Sequence, residues 1–225
     1  MKIRIAGTGL YLPPKIQKSE ELAKMIDKSA EWIKKKSGVE ERRVSSIDVD
    51  KMGAIAGGLA LKAGNCEVPD LIINASGVPK QTLPDTSIFM QKEMDFKGIP
   101  SFSIHSTCLS FITAFHNASC LLNSGVYKHI LIISSDRGTI GRNFNEPESA
   151  SLLGDGAAAT TGCVGGKAGS RGCDAVEQPV PPWGRNRLEQ SRIRRAWCSV
   201  WSKRCSSRRA GRVHEAAVGR GRVFI

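Results

Sequence analysis

Runs of apolar residues and amphipathic segments follow one another along the first 160 positions. Continuous apolar runs such as Leu71–Ala75 (LIINA) and Ile130–Ser134 (ILIIS) are typical of strands buried in a parallel sheet. The longer segment Leu109–Ser124 predicts a helix that ends at Gly125. The remaining predicted strands are Ile3–Gly7 and Ser101–His105, and the remaining predicted helices are Glu20–Asp27, Ala30–Lys36, Asp50–Lys62 and Thr86–Met94. Strands that alternate with helices predict an α/β fold whose sheet is covered by helices on both faces.

Three local features refine these helices. Ser19 is predicted to cap the first helix with its hydroxyl oxygen. Gly38 is predicted to close the second helix, since glycine readily adopts the left-handed conformation of a C-cap. The Asp50–Lys62 segment is rich in Ala and Gly, which predicts that this helix packs closely against another element.

Residues 161–225 differ from residues 1–160 in pattern, composition and charge. The first part contains 19 Lys+Arg and 17 Asp+Glu, and the second contains 14 and 4, so +10 of the formal net charge of +12 belongs to the second part. Lysine predominates among the basic residues of the first part and arginine among those of the second. No sustained helical or strand periodicity continues beyond residue 160. We therefore predict a folded part over residues 1–160 and an irregular basic tail over residues 161–225.

Three explanations of this tail are open. Enrichment in Arg, Gly, Cys and Trp with loss of Lys is typical of a GC-rich gene read out of frame, and we favour this explanation. A disordered basic arm that binds nucleic acid or acidic lipid is the second, and a small folded domain is the third. The tail has neither RGG-like repeats nor regularly interleaved aromatic residues, so nucleic acid is not an expected partner.

Composition also argues against several classes of protein. No stretch reaches the roughly 18 to 20 apolar residues that a membrane span needs, and the N-terminal residues lack the apolar core of a secretory signal. We therefore expect a cytoplasmic protein with no membrane partner. The seven cysteines form no CxxC pair, which predicts mostly free thiols rather than a zinc site or a disulfide framework.

Cys108 is the strongest candidate for a catalytic residue. It lies at a predicted tight turn between a strand and an apolar helix. A thiol at a helix N-terminus is favoured as the nucleophilic thiolate, and the backbone amides that follow it can donate to an oxyanion. Cys120, within the same helix, is predicted to serve packing, and Cys66, in a polar turn, is predicted to be a surface thiol.

At these residues the chain resembles the β-ketoacyl-acyl-carrier-protein synthase III family of the thiolase-like superfamily. Four segments carry the resemblance in the family's order and spacing. They are IAGTGLYLPP at 5–14, EWIKKKSGVEERR at 31–43, HSTCLSF at 105–111 and LLGDGAAAT at 152–160. The resemblance implies the N-terminal half of a thiolase-like fold, with a mixed and mostly parallel sheet.

The resemblance also implies a reaction and a set of site residues. The family's nucleophilic cysteine, here Cys108, takes an acyl group from acyl-coenzyme A and then condenses it with malonyl-acyl carrier protein, with loss of CO₂. No cofactor or metal is implied. Trp32 matches a tryptophan that stacks on the coenzyme A adenine, and Lys36 stands where the family commonly has an arginine near the nucleotide phosphates. Leu83 matches a residue that reaches into the partner subunit's acyl pocket, which implies a homodimer, and Phe111 belongs to the nucleophile motif as a substrate-binding residue.

The interpretation of individual residues leaves alternatives open. Trp32 is also consistent with a partly exposed aromatic residue on an amphipathic helix, and Leu83 with simple core packing. Thr107 and Leu109 replace smaller residues beside the nucleophile, so the acyl chain length and the acceptor stay open. The alternative functions are another thiolase-superfamily condensing enzyme, such as a thiolase, a polyketide-type synthase or a hydroxymethylglutaryl-coenzyme A synthase, and a non-catalytic half-domain with a nucleic-acid-binding tail.

The second half of the family's catalytic apparatus is missing from the sequence. The family uses a histidine and an asparagine from its second half, and none of the four histidines here, at positions 105, 116, 129 and 214, lies in such a motif. The apolar strand expected after the GDGAAAT segment is also absent beyond Thr160. We therefore predict a truncated enzyme that does not complete the condensation alone.

Overall fold

The computed structural model describes residues 3–164, which form a five-stranded mixed sheet with helices on both faces. In spatial order the strands are β1 (Ile3–Tyr11), β7 (Asp155–Val164), β6 (His129–Arg137), β4 (Leu71–Asn74) and β5 (Ser101–Ser103). A separate antiparallel pair consists of β2 (Lys15–Lys18) and β3 (Glu41–Val44). The helices are α1 (Ser19–Met25), α2 (Ala30–Ser37), α3 (Val49–Ala63), α4 (Thr86–Glu93), α5 (Ser110–Asn123) and α6 (Pro147–Ala150).

Strand directions divide the sheet into two parts. Strand β4 pairs in parallel with both β5 and β6, whereas β7 pairs antiparallel with β6 and β1. The predicted α/β class and mixed sheet are therefore confirmed, with equal numbers of parallel and antiparallel pairings. Because β4, β5 and β6 run in parallel, their carboxyl ends meet at one edge, which is where open α/β sheets usually bind ligands.

Alternate residues of the central strands pack on opposite helix layers. Ile72 and Leu131 pack with α3 and α4 residues in one cluster, while Ile73 and Ile132 pack with α5 residues in the other. All four side chains are almost fully buried. The continuous apolar runs seen in the sequence are the consequence of this two-sided burial.

Helix α3 packs almost directly on β1. A Cβ atom added at Gly9 would lie 2.0 Å from the carbonyl oxygen of Ala56, and one at Gly7 would lie 2.3 Å from that of Ala60. Only residues without a side chain allow this approach. The predicted close packing of the Ala- and Gly-rich helix is confirmed, and its partner is the edge strand β1.

Strand β7 corrects the prediction for the end of the folded part. We expected no apolar strand after Thr160. The structure instead has a strand, Asp155–Val164, which continues past Thr160 and lies between β1 and β6. The small side chains of Ala157 and Ala159 fit beneath α3, so this segment does not need the long apolar run of a central strand. The predicted boundary at residue 160 therefore falls inside β7, and the predicted tail beyond Val164 lies outside the described residues.

The two predicted helix caps have different outcomes. Gly38 is the left-handed C-cap of α2, as predicted, with φ of 72°. Ser19 is the first residue of α1 rather than its N-cap, and its hydroxyl donates to the carbonyl of Val39 at 2.9 Å. No helix within residues 3–164 combines the length and the apolar character needed to cross a membrane.

Candidate functional site

Cys108 lies in a single 3₁₀ turn, Thr107–Leu109, that joins the β5 segment to α5. Thr107 has a φ of +50°, a strained value for a β-branched residue. The hydroxyl of the buried Ser110 stabilises this turn, since it donates to the carbonyl of Thr107 at 2.7 Å and accepts from the amide of Ser106 at 2.9 Å. The turn presents the Cys108 side chain on the exposed side.

The turn also corrects one expectation about the backbone amides after the nucleophile. The amide of Leu109 donates to the carbonyl of Ser106 at 3.0 Å, and the amide of Ser110 donates to the carbonyl of Thr107. These two donors close the 3₁₀ turn and are not available to an oxyanion. Helix α5 begins only at Ser110, so Cys108 lies two residues before the helix instead of opening it.

A cavity of about 340 Å³ lies against Cys108 at the carboxyl edge of the parallel strands. Phe111 lines it from the first turn of α5, and its ring stacks on Phe115 with a centroid distance of 6.3 Å. The rest of the lining comes from the loop after β4, from the end of β6 and from the turn before β7. The lining residues from these segments are Ala75, Gly77, Val78, Ser134, Asp136, Gly138, Leu153 and Gly154.

The other three predicted substrate-binding residues do not line this cavity. Trp32 lies on α2 and packs against the cluster around Leu22 and Ile33, with the ammonium of Lys28 5.8 Å from its ring centroid. Lys36 is exposed near the end of the same helix. Leu83 lies in the loop between β4 and α4 and is 81% exposed. Within the part of the chain that the structure describes, it therefore does not pack in the core.

Asp136 is a cavity residue that sequence reasoning missed. Its carboxylate accepts a hydrogen bond from the amide of Val78 at 2.7 Å, and a second comes from the amide of Gly77. Burial raises the pKa of Asp136 above the ordinary aspartate range, although these amides and the nearby His105 oppose the shift. The only signal in the sequence is a carboxylate at the end of a buried apolar strand.

A chain of hydrogen bonds joins the ends of three strands, next in the chain to residues that line the cavity. The amide of Ser135 donates to the hydroxyl of Ser76 at 3.0 Å, and this hydroxyl donates to Asn74 Oδ1 at 2.6 Å. Asn74 Nδ2 donates to the hydroxyl of Ser103 at 2.8 Å, which in turn donates to Asp85 Oδ1 at 2.9 Å. The polar groups are thus satisfied across β6, β4 and β5, and the ends of these strands are held at a fixed geometry.

The other two described thiols reverse the sequence-based expectation. Cys66 is buried, and its Sγ lies 3.4 Å from the carbonyl oxygen of Val68. Burial raises the pKa of the Cys66 thiol. Cys120 is exposed on α5, 3.9 Å from Nε2 of His116. Both predictions are therefore wrong. Periodicity alone did not show which side of α5 faces the sheet, and the polar sequence around Cys66 did not show that this side chain packs inward.

Comparison with known proteins supports the family resemblance. The family model described as 3-oxoacyl-[acyl-carrier-protein (ACP)] synthase III matches residues 102–173, which include Cys108 and Phe111. Two curated relatives carry the equivalent name β-ketoacyl-[acyl-carrier-protein] synthase III. The protein named synthase III 2 from Vibrio vulnificus is 32% identical over 183 residues, and the one from Aquifex aeolicus is 33% identical over 162 residues. These alignments cover 78% and 71% of this chain.

A solved structure agrees with these sequence matches. The crystal structure of 3-oxoacyl-[acyl-carrier-protein] synthase III from Aquifex aeolicus superposes with a TM-score of 0.69 at 32% identity, covering 72% of this chain and 54% of that structure. The chain spans about half the length of the curated relatives it matches, 51% for the Vibrio protein and 52% for the Aquifex protein. Over the part that matches, the chain therefore belongs to the 3-oxoacyl-[acyl-carrier-protein] synthase III family.

Proposed function

We propose that Cys108 accepts an acyl group from acyl-coenzyme A, as the first step of a synthase III-type acyltransferase. The Cys108 thiolate attacks the thioester carbonyl, the bond to the coenzyme A sulfur breaks, and coenzyme A leaves as its thiol after taking up a proton. The acyl group is then held as a thioester on Cys108 Sγ. The observation that carries the proposal is that Cys108 is exposed, lines a cavity and belongs to the segment that matches the family model.

The proposed substrate contacts follow from where the residues lie. Phe111 lines the cavity beside Cys108 and supplies an apolar surface for the acyl chain. Trp32 and Lys36 lie one turn apart on α2, where an aromatic face and a cation on one helix suit an adenine ring and phosphates. Lysine offers a point charge rather than the bidentate fork of arginine, so we expect weaker binding of coenzyme A than an arginine would give.

The second step is proposed as condensation with malonyl-acyl carrier protein, in fatty-acid or related biosynthesis. It requires a group that stabilises the carbanion formed when CO₂ leaves. No histidine among residues 3–164 lines the cavity beside Cys108. We therefore propose that this chain stops at the acyl-enzyme and needs residues from a second half to complete the reaction.

A homodimer is the proposed assembly, in the cytoplasm. Leu83 protrudes into solvent, and Phe102 of the short edge strand β5 is partly exposed. An edge strand with apolar neighbours is suited to pairing with a second copy. Sedimentation velocity would test this: a dimer that dissociates in Leu83→Asp agrees with the proposal, and a monomer at all concentrations contradicts it.

The acyl-transfer proposal is tested by incubating the 225-residue chain with radiolabelled acyl-coenzyme A. We expect label that neutral hydroxylamine releases and that peptide mass spectrometry places on Cys108. Cys108→Ala should lose the label, and Cys120→Ala should keep it, because Cys120 is also an exposed thiol but lies on α5 and does not line the cavity. Labelling that survives in Cys108→Ala would contradict the proposal.

A further inference from the structure

Residues 77–85 form a loop, here called the Leu83 loop, that joins β4 to α4. Its first residues, Gly77 and Val78, line the same cavity as Cys108, and Leu83 protrudes near its other end. One loop therefore connects the cavity wall with the residue proposed to enter the partner's acyl pocket. The position of this loop sets the space that is open to an acyl chain.

Both ends of the Leu83 loop are held by carboxylates. At the start, Asp136 accepts from the amide of Val78 at 2.7 Å. At the end, Asp85 accepts from the amide of Ser87 at 2.9 Å and from the hydroxyl of Ser103 at the same distance. These contacts fix the loop to the ends of β6 and β5.

The middle of the loop is held by Lys80. Its ammonium contacts the carboxylate of Asp50 and lies 3.6 Å from that of Asp48, and it is 5.2 Å from the ring centroid of Phe89. Its amide donates to the hydroxyl of Thr86 at 3.0 Å. Lys80 therefore joins the loop to the first turn of α3 and to α4.

The partner of Lys80 is a buried carboxylate. Asp50 is only 2% exposed, and its other oxygen accepts from the amide of Lys51 at 3.0 Å. Asp48 also pairs with Arg137, whose guanidinium lies 2.8 Å from the Asp48 carboxylate. Arg137 is the residue immediately after Asp136 in the chain. A buried carboxylate is costly without a partner, so Asp50 keeps the Lys80 ammonium in place and the loop with it.

We infer that Lys80 is a positioning residue that fixes the Leu83 loop and thereby selects the acyl chains that Cys108 accepts; the second part rests on the proposed function. Lys80 does not touch the reacting atoms. It acts through the loop backbone, where a displacement of about 1 Å is enough to change how a substrate fits.

The test uses Lys80→Met in the 225-residue chain. Amide hydrogen exchange within residues 77–85 should become about tenfold faster, as expected when a charged hydrogen-bond partner is lost. The ratio of Cys108 loading by decanoyl-coenzyme A to loading by acetyl-coenzyme A should change about fivefold or more. Alkylation of Cys108 by iodoacetamide should stay unchanged, because the 3₁₀ turn does not involve Lys80. Lys80→Arg should restore most of the wild-type ratio.

Two further variants keep the test decisive. Asp50→Asn/Lys80→Met removes both charges, so it tests the loop even if the single variant unfolds. Lys92→Met removes an exposed lysine from α4 and should change neither readout. The positioning role is overturned if hydrogen exchange in residues 77–85 is equally slow in the double variant and the wild type. The role in acyl selectivity is overturned if exchange becomes faster but the ratio of decanoyl to acetyl loading stays unchanged. If wild-type Cys108 accepts no acyl group, the proposed function fails, and hydrogen exchange alone decides the role of Lys80.

Discussion

Asp136 shows how one side chain in the cavity beside Cys108 responds to its surroundings. Burial raises the pKa of Asp136, so the native state binds this proton more tightly than the unfolded chain does. The protonated Asp136 therefore contributes to the stability of the native state below about pH 4, where aspartate in the unfolded chain is also protonated. This contribution is lost as the pH rises through the raised native pKa of Asp136.

We expect this loss to disappear in Asp136→Asn, since an amide oxygen can still accept from Val78 but carries no charge. Urea unfolding at several values between pH 4 and pH 7 measures it. The free energy of unfolding of the wild type should fall relative to that of Asp136→Asn as the pH rises. If the difference in the free energy of unfolding between wild type and Asp136→Asn stays constant across this range, the Asp136 carboxyl group titrates alike in the native and unfolded states.

The cysteines offer a second prediction from single side chains. Brief treatment of the native chain with iodoacetamide should modify the exposed Cys108 and Cys120 and spare Cys66. The protection of Cys66 has two causes, burial of the sulfur and its raised pKa, which lowers the fraction of reactive thiolate. Peptide mass spectrometry identifies the modified sites, and unfolding in urea should make Cys66 react as well. Native modification of Cys66 would contradict its buried position.

The packing of α3 on β1 allows a prediction about elements. Gly9→Ala should lower the free energy of unfolding by about 3 kcal/mol or more, because the new Cβ would meet the backbone of α3 and the helix must move away. Gly58→Ala, on helix α3 itself, is the matched control, since an added Cβ there has no atom within 4 Å. It should raise the free energy by about 0.5 to 1 kcal/mol through helix propensity. Equal effects of the two substitutions in urea unfolding would refute the close packing.

The whole chain is expected to accept an acyl group without completing the condensation. Supplied with acyl-coenzyme A and radiolabelled malonyl-acyl carrier protein, it should form no ketoacyl product, because no histidine within residues 3–164 lines the cavity. Chromatography of the products checks this, with a full-length synthase III as the positive control. Ketoacyl product that disappears in Cys108→Ala would show that the chain is sufficient by itself.

Exposed apolar residues suggest a second property of the whole molecule. Ile55 and Leu59 are partly exposed on α3, as are Ile5 and Leu10 on the edge strand β1. Apolar surface that is not covered favours association, at about 25 cal/mol for each Å² removed from water. We expect poor solubility, measured as light scattering that rises with protein concentration and falls in low concentrations of urea.

The sequence by itself determined the class of fold and pointed to Cys108 as the candidate nucleophile. Continuous apolar runs at 71–75 and 130–134 predicted buried strands, because a strand covered on both faces cannot alternate with polar residues. Cys108 was identified by a motif in which neighbouring residues along the chain carry the signal. Strand β7 was missed since small residues such as Ala157 fit only a position beneath α3, and this fit depends on the partner helix.

Tertiary structure alone decided which distant residues meet. The parallel arrangement of β4, β5 and β6 brings Asp136 to the cavity that Cys108 also lines, and the fold brings Asp50 of α3 to Lys80 of the Leu83 loop. It also placed Cys66 inside and Cys120 outside. Such pairings join residues tens of positions apart, and their energies depend on burial and distance, which local sequence patterns do not contain. The sequence therefore pointed to Cys108 as the candidate nucleophile, and the fold decided what surrounds it.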